Sequence, residues 1–369
     1  MDGDGIKLAV GLMSGTSMDG IDAALLRTDG GARVEPLTAM SLPYGSEFRT
    51  ALRGTLGREH APPDLVHHLT ALHGQVVNEL LARAGLKARD VDVIGFHGHT
   101  VFHEPAKRKT IQIGDGEALA KMLGIDVVYD FRSADVAAGG EGAPFAPLYH
   151  AVLAPDDRPL CFLNIGGVAN LTWIGAGADP ASDDIFDHLL AFDTGPGNAL
   201  IDDWMHAQKG LDFDQDGRLA AAGRVDQGVL ETLLSDEFFA AVPPKSLDRT
   251  DFTTGPAKGL SPEDGAATLA MFTVQAIGKA VAFLPETPRR WLVTGGGRKN
   301  GYLMDALGQT LGAPVLPTEA EGIDGDVLEA QAFAYLAVRS LAGLPLSGPS
   351  TTGVSSPQRG GRLCVAHAA

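Results

Sequence analysis

Ile6-Lys7-Leu8-Ala9-Val10-Gly11-Leu12-Met13, then Ser14-Gly15-Thr16-Ser17-Met18-Asp19-Gly20, then Ile21-Asp22-Ala23-Ala24-Leu25-Leu26-Arg27: an apolar run, a polar glycine turn and a second apolar run. Runs of this length bounded by Gly, Ser and Asp read as two β-strands and their turn. The theme returns at Leu160–Ile165, Gly166-Gly167 and Ala169–Ile174. Further strands are expected at Val91–Phe96, Thr110–Ile113, Val127–Tyr129, Leu189–Phe192 and Trp291–Thr294. Helical patterns fall between them. In Pro63–Ala84, Leu65, Leu69, Leu72, Val76 and Leu80 form one stripe, and other helices are expected at Glu117–Leu123, Ala199–Gln208, Ala220–Leu234, Pro262–Leu284, Gly301–Leu311 and Val327–Leu341. Strands alternating with helices define an α/β protein. At roughly 100–200 residues per domain, this length suits two domains. The Gly-, Pro- and Asp-rich stretch Ala137–Pro159 marks the boundary. The expected division is a first lobe of 1–135 completed by about 345–369, and a second lobe of 136–344.

The formal net charge is −17, which opposes a phosphate backbone and argues against nucleic-acid binding. The most apolar stretch, Leu160–Ala178, is interrupted by Asn164 and Asn170, so no membrane span is read there. Met1-Asp2-Gly3-Asp4 lacks the basic and apolar parts of a signal peptide. The cysteines are Cys161, in an apolar strand where a buried inert thiol is expected, and Cys364. Together these features indicate a reduced, cytoplasmic protein.

Glycine-rich turns follow apolar strands at Gly11–Gly20, Asp193-Thr194-Gly195-Pro196-Gly197-Asn198 and Thr294-Gly295-Gly296-Gly297-Arg298-Lys299-Asn300. Glycine lets the backbone approach a phosphate, and successive N–H groups form an anion-binding concavity. A helix starting at Asn198 or Ala199 would add its N-terminal amides. Ser14, Thr16 and Ser17 can donate hydroxyl hydrogen bonds, and Asp19 can hold Mg²⁺ directly or through water. Neither a Walker P-loop nor a Rossmann fingerprint is present, since Gly278-Lys279 is followed by Ala280. Taken singly, each turn could merely join strands, and Asp193 could merely cap the following helix. His97, His99 and His103 lie close in sequence, but no carboxylate or cysteine completes a metal-ligand spacing. His67, His68 and His73 are expected at the surface of the long helix or between lobes.

Gly15-Thr16-Ser17-Met18-Asp19-Gly20-Ile21-Asp22, His97-Gly98, Gln112-Ile113-Gly114-Asp115-Gly116, Asp130-Phe131-Arg132, Asn164-Ile165-Gly166-Gly167-Val168-Ala169-Asn170-Leu171-Thr172 and Phe192–Asn198 follow one another in the order seen in anhydro-N-acetylmuramic acid kinases. Thr294–Asn300 and Glu329-Ala330-Gln331-Ala332-Phe333-Ala334 continue the resemblance, which covers about residues 8–343. It implies the two-lobed actin, Hsp70 and sugar-kinase (RNase H-like) fold with ATP in the interlobe cleft. It implies ATP and Mg²⁺ as cofactors, and hydrolysis of the 1,6-anhydro bridge of anhydro-N-acetylmuramic acid with phosphorylation of O6 in cell-wall recycling. The product would be N-acetylmuramic acid 6-phosphate, and the protein a homodimer. By the same resemblance Asp193 is the catalytic base. ATP would meet Gly15–Asp22, Asn164, Gly166, Gly167, Gly195, Gly197, Asn198 and Gly295–Gly297, with Mg²⁺ at Asp19. Glu329 would be a second acidic residue at the sugar, or simply an acid favoured at a helix N-terminus. His97 would be a cleft residue at the substrate, and Arg132 and Asp130 could meet the sugar's lactyl carboxylate or the phosphates, or form an ordinary ion pair. His99 departs from the family's usual glutamine. Two other readings stay open: an ordinary sugar or N-acetylhexosamine kinase, in which Asp193 deprotonates a hydroxyl, and a non-enzymatic nucleotide switch of the same fold group.

Overall fold

The computed structural model describes residues 5–15 and 17–366, and its chain forms two compact units. The first holds the chain up to Leu153, the segment Asp179–Phe186 and everything from Val327 on. The second holds Ala154–Ala178 and Asp187–Asp326. This division differs from the expected lobes: residues 136–153, 179–186 and 327–344 belong with the first unit.

In the first unit the strands are β1 (Lys7–Ser14), β2 (Gly20–Thr28), β3 (Val34–Pro43), β4 (Val93–Glu104), β5 (Lys109–Ile113), β6 (Val127–Tyr129) and β12 (Arg362–Cys364). Its helices are α1 (Ser46–Arg53), α2 (Pro63–Ala84), α3 (Gly116–Leu123), α4 (Ser133–Ala137), α5 (Pro147–Leu153), α11 (Leu328–Leu341) and α12 (Pro349–Thr352). The sheet runs β12-β6-β4-β1-β2-β3, with β5 paired to β4. β1, β2 and β3 form an antiparallel meander, whereas β4 and β6 run parallel to β1. α2 opens with proline in its first turn and stops at Gly85, whose φ of 68° supplies the left-handed C-cap.

α11 packs on β1, β2 and β4, which is why it joins this unit. The approach is close: a Cβ on Gly11 would overlap the carbonyl oxygen of Ala330, and one on Gly95 that of Phe333. Near the C-terminus of α11, buried Arg339 donates 2.8 Å bonds to the carbonyls of Gly30 and Pro180 and a 3.0 Å bond to that of Pro345. That guanidinium, with the Ser350 hydroxyl donating to the Phe186 carbonyl at 2.5 Å, ties the excursion Asp179–Phe186 into the unit.

The second unit contains β7 (Leu160–Ile165), β8 (Val168–Ile174), β9 (Leu189–Pro196), β10 (Trp291–Thr294) and β11 (Val315–Pro317). Its helices are α6 (Ala199–Lys209), α7 (Arg218–Ala222), α8 (Gln227–Leu234), α9 (Pro262–Ala280) and α10 (Gly301–Thr310). The sheet order is β11-β10-β7-β8-β9. Again the first three strands form an antiparallel meander and the last two run parallel to the first. The single helix expected over Ala220–Leu234 is broken at Gly223, giving α7 and α8. α9 starts with Ser261 accepting from the Asp264 N–H at 3.1 Å, Pro262 in its first turn, and Glu263 and Asp264 facing the positive end of the dipole. Among the described residues, the segment Pro262–Phe283 alone is long and apolar enough to cross a membrane, and its helix α9 is buried along Ala266, Leu269, Phe272 and Ile277 within this unit's core.

The two sheets thus share one plan: a three-strand antiparallel meander whose first strand continues into two parallel strands. That is the duplicated α/β plan of the actin, Hsp70 and sugar-kinase fold group.

Candidate active site

Asp193 ends the regular part of β9, an edge strand. The β8–β9 register pairs Asn170 with Asp193 but Ala169 with Gly195, so Thr194 is the extra residue of a bulge. A bulge re-aims the side chains beside it. The Thr194 hydroxyl donates to the Ala169 carbonyl at 3.1 Å and locks it. Half-buried Asp193 receives a 2.8 Å hydrogen bond at Oδ2 from the Leu247 N–H, while its own N–H donates to the Lys245 carbonyl at 3.0 Å.

Around it the structure brings together Asn164, Gly166, Gly167, Gly195, Gly197, Asn198 and Gly295–Gly297. β10 lies parallel to β7 with Thr294 opposite Asn164, so the turns leaving both strands meet. Asn198 Nδ2 donates to the Ile165 carbonyl at 2.9 Å. Gly295 has φ 73°, and a Cβ there would overlap Asn164 Oδ1. A Cβ on Gly197 would overlap the Gly166 carbonyl. The turns are thus packed closely against one another. One expectation fails here. The N–H groups of Gly197, Asn198 and Ala199 donate to the carbonyls of Gly166 and Gly167 at 2.7–3.2 Å, so these three amides, up to the first of α6, stitch two turns together and do not face an anion. Arg298 is likewise engaged, paired with Glu319 at 2.7 Å and Asp326 at 3.0 Å.

In the first unit the turn after β1 is closed by the Met18 N–H donating to the Gly15 carbonyl at 3.0 Å. Thr16 lies outside the described residues. Gly15 and Ser17 are accessible and Asp19 is exposed, whereas the side chains of Met18 and Ile21 are packed in the core and offer a ligand only their main chain. Gly20 is demanded by strand pairing, since a Cβ would overlap the Leu42 carbonyl. Ser14 is buried, sharing hydrogen bonds with Tyr44 Oη at 2.7 Å and His99 Nδ1 at 3.0 Å. His99 is therefore a buried support of the turn, and His73, expected at the surface of the long helix or between lobes, is fully buried as well.

His97, Asp130 and Ser133 line an open pocket of about 200 Å³, together with Phe96, Gln112 and Tyr129. The Nδ1 of His97 is 2.9 Å from the Gly98 carbonyl, which can only accept, so the proton resides on Nδ1. Nε2 then accepts from Arg132 Nε at 3.0 Å. Burial, and secondly the Arg132 charge, hold the His97 pKa well below the usual range, so the ring is neutral. Arg132 also donates to the Gly142 carbonyl at 2.6 Å. Desolvation lowers its pKa to about 10, against the opposing carboxylates of Glu329 and Asp135. Glu329 stands in the first turn of α11. Its pKa is raised, first by desolvation and then by Asp22, with Arg132 opposing. Glu329 keeps exposed surface, so crowding by surrounding protein, rather than occlusion, sets that direction and limits its size. Asp130 has φ 55°, an uncommon conformation for a non-glycine residue, and strain of this kind clusters at functional sites. Among the described residues no group of three His, Cys, Asp or Glu side chains converges as a metal site.

Sequence reasoning missed Lys245 and Leu247. They lie more than 50 residues from Asp193 in no glycine turn, and only the Pro-Pro-Lys composition hints at a fixed loop.

The two sheets share one plan, with glycine turns stacked at strand ends and a carboxylate presented beside a bulge. The family model for anhydro-N-acetylmuramic acid kinase matches residues 7–365. A protein of that name from Paramagnetospirillum magneticum is 55% identical over 96% of this chain and 99% of its own. Another, from Rhodospirillum rubrum, is 51% identical over 98% and 95%. Among solved structures, ligand-bound xylulose kinase from Lactobacillus acidophilus aligns over 94% of this chain and 92% of its own, with TM-score 0.47 and 10% identity. The chain belongs to the anhydro-N-acetylmuramic acid kinase family.

Proposed function

We propose that this protein hydrolyses the 1,6-anhydro bridge of 1,6-anhydro-N-acetylmuramic acid and transfers the γ-phosphoryl group of ATP to O6. The products are N-acetylmuramic acid 6-phosphate and ADP, in the recycling of cell-wall murein. The observation that carries this reading is Asp193: a carboxylate beside a locked bulge, oriented by the Leu247 amide, next to glycine turns suited to phosphates. Asp193 takes a proton from water as the water oxygen bonds to C1. The C1–O6 bond breaks, and O6 bonds to the γ-phosphorus as its bond to the ADP oxygen breaks. The proton then passes from Asp193 to solvent. The phosphorus thus accepts the electron pair that a general acid would otherwise protonate.

The main chain of Gly195, Gly197 and Gly295–Gly297, with Asn164 and Asn198, accommodates the nucleotide, as do Gly15–Asp22. Neutral His97, Arg132, Asp130 and Glu329 contact the sugar, and Arg132 offers the one cation of this set to an anionic group. Mg²⁺ fits as an ion held chiefly by phosphate oxygens and water, with the exposed carboxylate of Asp19 as its protein partner. When bound, it supplies charge neutralisation at the phosphates. The family resemblance supports a cytoplasmic homodimer.

The test is turnover of the anhydro sugar with ATP and Mg²⁺ in H₂¹⁸O, controlling for reducing-end exchange. The expected product carries ¹⁸O at C1 and none at O6. An intact bridge, with phosphorylation of N-acetylmuramic acid or another hexosamine, would transfer the protein to the ordinary sugar kinases.

A further inference from the structure

Lys245 has a peculiar environment. Among the described residues no carboxylate pairs with it. Its ammonium donates to the Phe238 carbonyl at 2.7 Å and stands 4.5 Å from the centre of the Phe238 ring, 4.8 Å from Phe283 and 5.9 Å from Phe192. Three aromatic faces attract a cation through their quadrupoles, most effectively where water is partly excluded. Burial lowers the Lys245 pKa, so the site costs the charge some hydration. The same short stretch grips Asp193 twice, through the Lys245 carbonyl and the Leu247 N–H. β9 is an edge strand with nothing beyond it in the sheet, so this stretch is what satisfies its outer side at Asp193. Phe192, one wall of the cage, is also the residue before Asp193.

We propose that Lys245 is a positioning residue for Asp193: its ammonium, caged by Phe238, Phe283 and Phe192, pins residues 245–247 against the edge of β9 and so aims the carboxylate. The inference rests on reading Asp193 as the base. An uncharged side chain of similar length would fill the space but lose the cage attraction and the bond to Phe238. The loop would then detach more often, and Asp193 would lose its Leu247 partner. Since misplacing a reacting group by about 1 Å can cost roughly 100-fold, partial release should lower kcat without touching ground-state binding.

The experiment compares Lys245→Met, Lys245→Arg and Phe238→Leu in the full-length protein, by steady-state kinetics and deuterium exchange. Lys245→Met is expected to lower kcat by ~10–50-fold with both KM values within about twofold. Deuterium uptake should rise in the peptide spanning 244–248. Lys245→Arg should restore kcat to within about threefold, because it keeps the cation. Phe238→Leu, which leaves the lysine in place, should show the same pattern as Lys245→Met, more weakly. Unchanged kcat in both Lys245→Met and Phe238→Leu overturns the inference, as does a loss that appears in KM alone. The underlying reading fails separately: normal turnover by Asp193→Asn removes the base, whatever the lysine variants do. An inactive Asp193→Asn beside normal Lys245→Met and Phe238→Leu sinks the positioning role alone.

Discussion

Acidification from pH 8 to pH 5 should selectively loosen the first unit, through histidines it buries as neutral rings. His73 and His99 have no exposed surface, and burial, the largest cause for each, lowers both pKa values to about 4. His150 is 3% exposed and is lowered by burial to about 3. The unfolded chain titrates near 6.5, so as pH falls it takes up protons before the folded state does. Stability from each ring is therefore complete above about pH 6.5 and drains as pH falls toward about 4. At pH 5 a group moved from 6.5 to 4 has lost about 2 kcal/mol, so three such groups cost about 6 kcal/mol. That is comparable with the whole stability of a typical domain, about 5–15 kcal/mol. Within His73, Nδ1 donates to the Leu69 carbonyl at 2.8 Å, and Nε2 is buried without a partner. His73→Leu removes the titration at little other cost, and should recover about 2 kcal/mol of the loss. Urea unfolding followed by far-UV circular dichroism at both pH values reads this. Trp173, Trp204 and Trp291 all lie in the second unit, so tryptophan fluorescence reports that unit by itself. If His73→Leu keeps the wild-type pH dependence, or wild type loses less than about 1 kcal/mol by pH 5, burial is not holding these rings neutral.

Asp193→Asn should keep the fold and nucleotide binding while lowering turnover by roughly 10²–10⁴-fold. Isothermal titration with ATP beside a steady-state assay checks both halves, and near-normal turnover removes Asp193 from the chemistry. Arg339→Met should destabilise the first unit by about 3 kcal/mol, because two buried carbonyls and a partly buried one lose their donor together. A thermal midpoint within a degree or two of wild type would show that water replaces the guanidinium.

Much of the fold was legible because β1, β2, β7 and β10 are short apolar runs ending in polar glycine turns, a purely local signal. β3 escaped notice: Val34–Pro43 carries Pro36 and several exposed residues at a sheet edge, so neither a continuous apolar run nor a clean alternation marks it. α11 was recognisable as a helix but was assigned to the wrong unit. Its sequence encodes an apolar face without saying which sheet receives it, and the glycines that admit it, Gly11 and Gly95, are remote in sequence. For the site, Asp193 and the glycine turns could be found because each combines residue type with strand context. The Lys245–Leu247 clamp could not, since main-chain bonds leave no residue signature. The helix-terminus expectation at Asn198 went wrong for a related reason: neighbouring carbonyls took the amides that the pattern had left free.

The chain's route has a temporal consequence. The first unit begins within the opening strands, yet α11 and β12, which it needs for its core and its last sheet pairing, come from the far end of the sequence. About 170 residues, nearly all of the second unit, are synthesised between Leu153 and Val327. At ~5–20 residues per second, a growing polypeptide would hold an unfinished first sheet for roughly 10–35 s. During that interval β1 and β4 present to solvent, or to whatever chaperone reaches them first, the glycine-floored trough that α11 later fills.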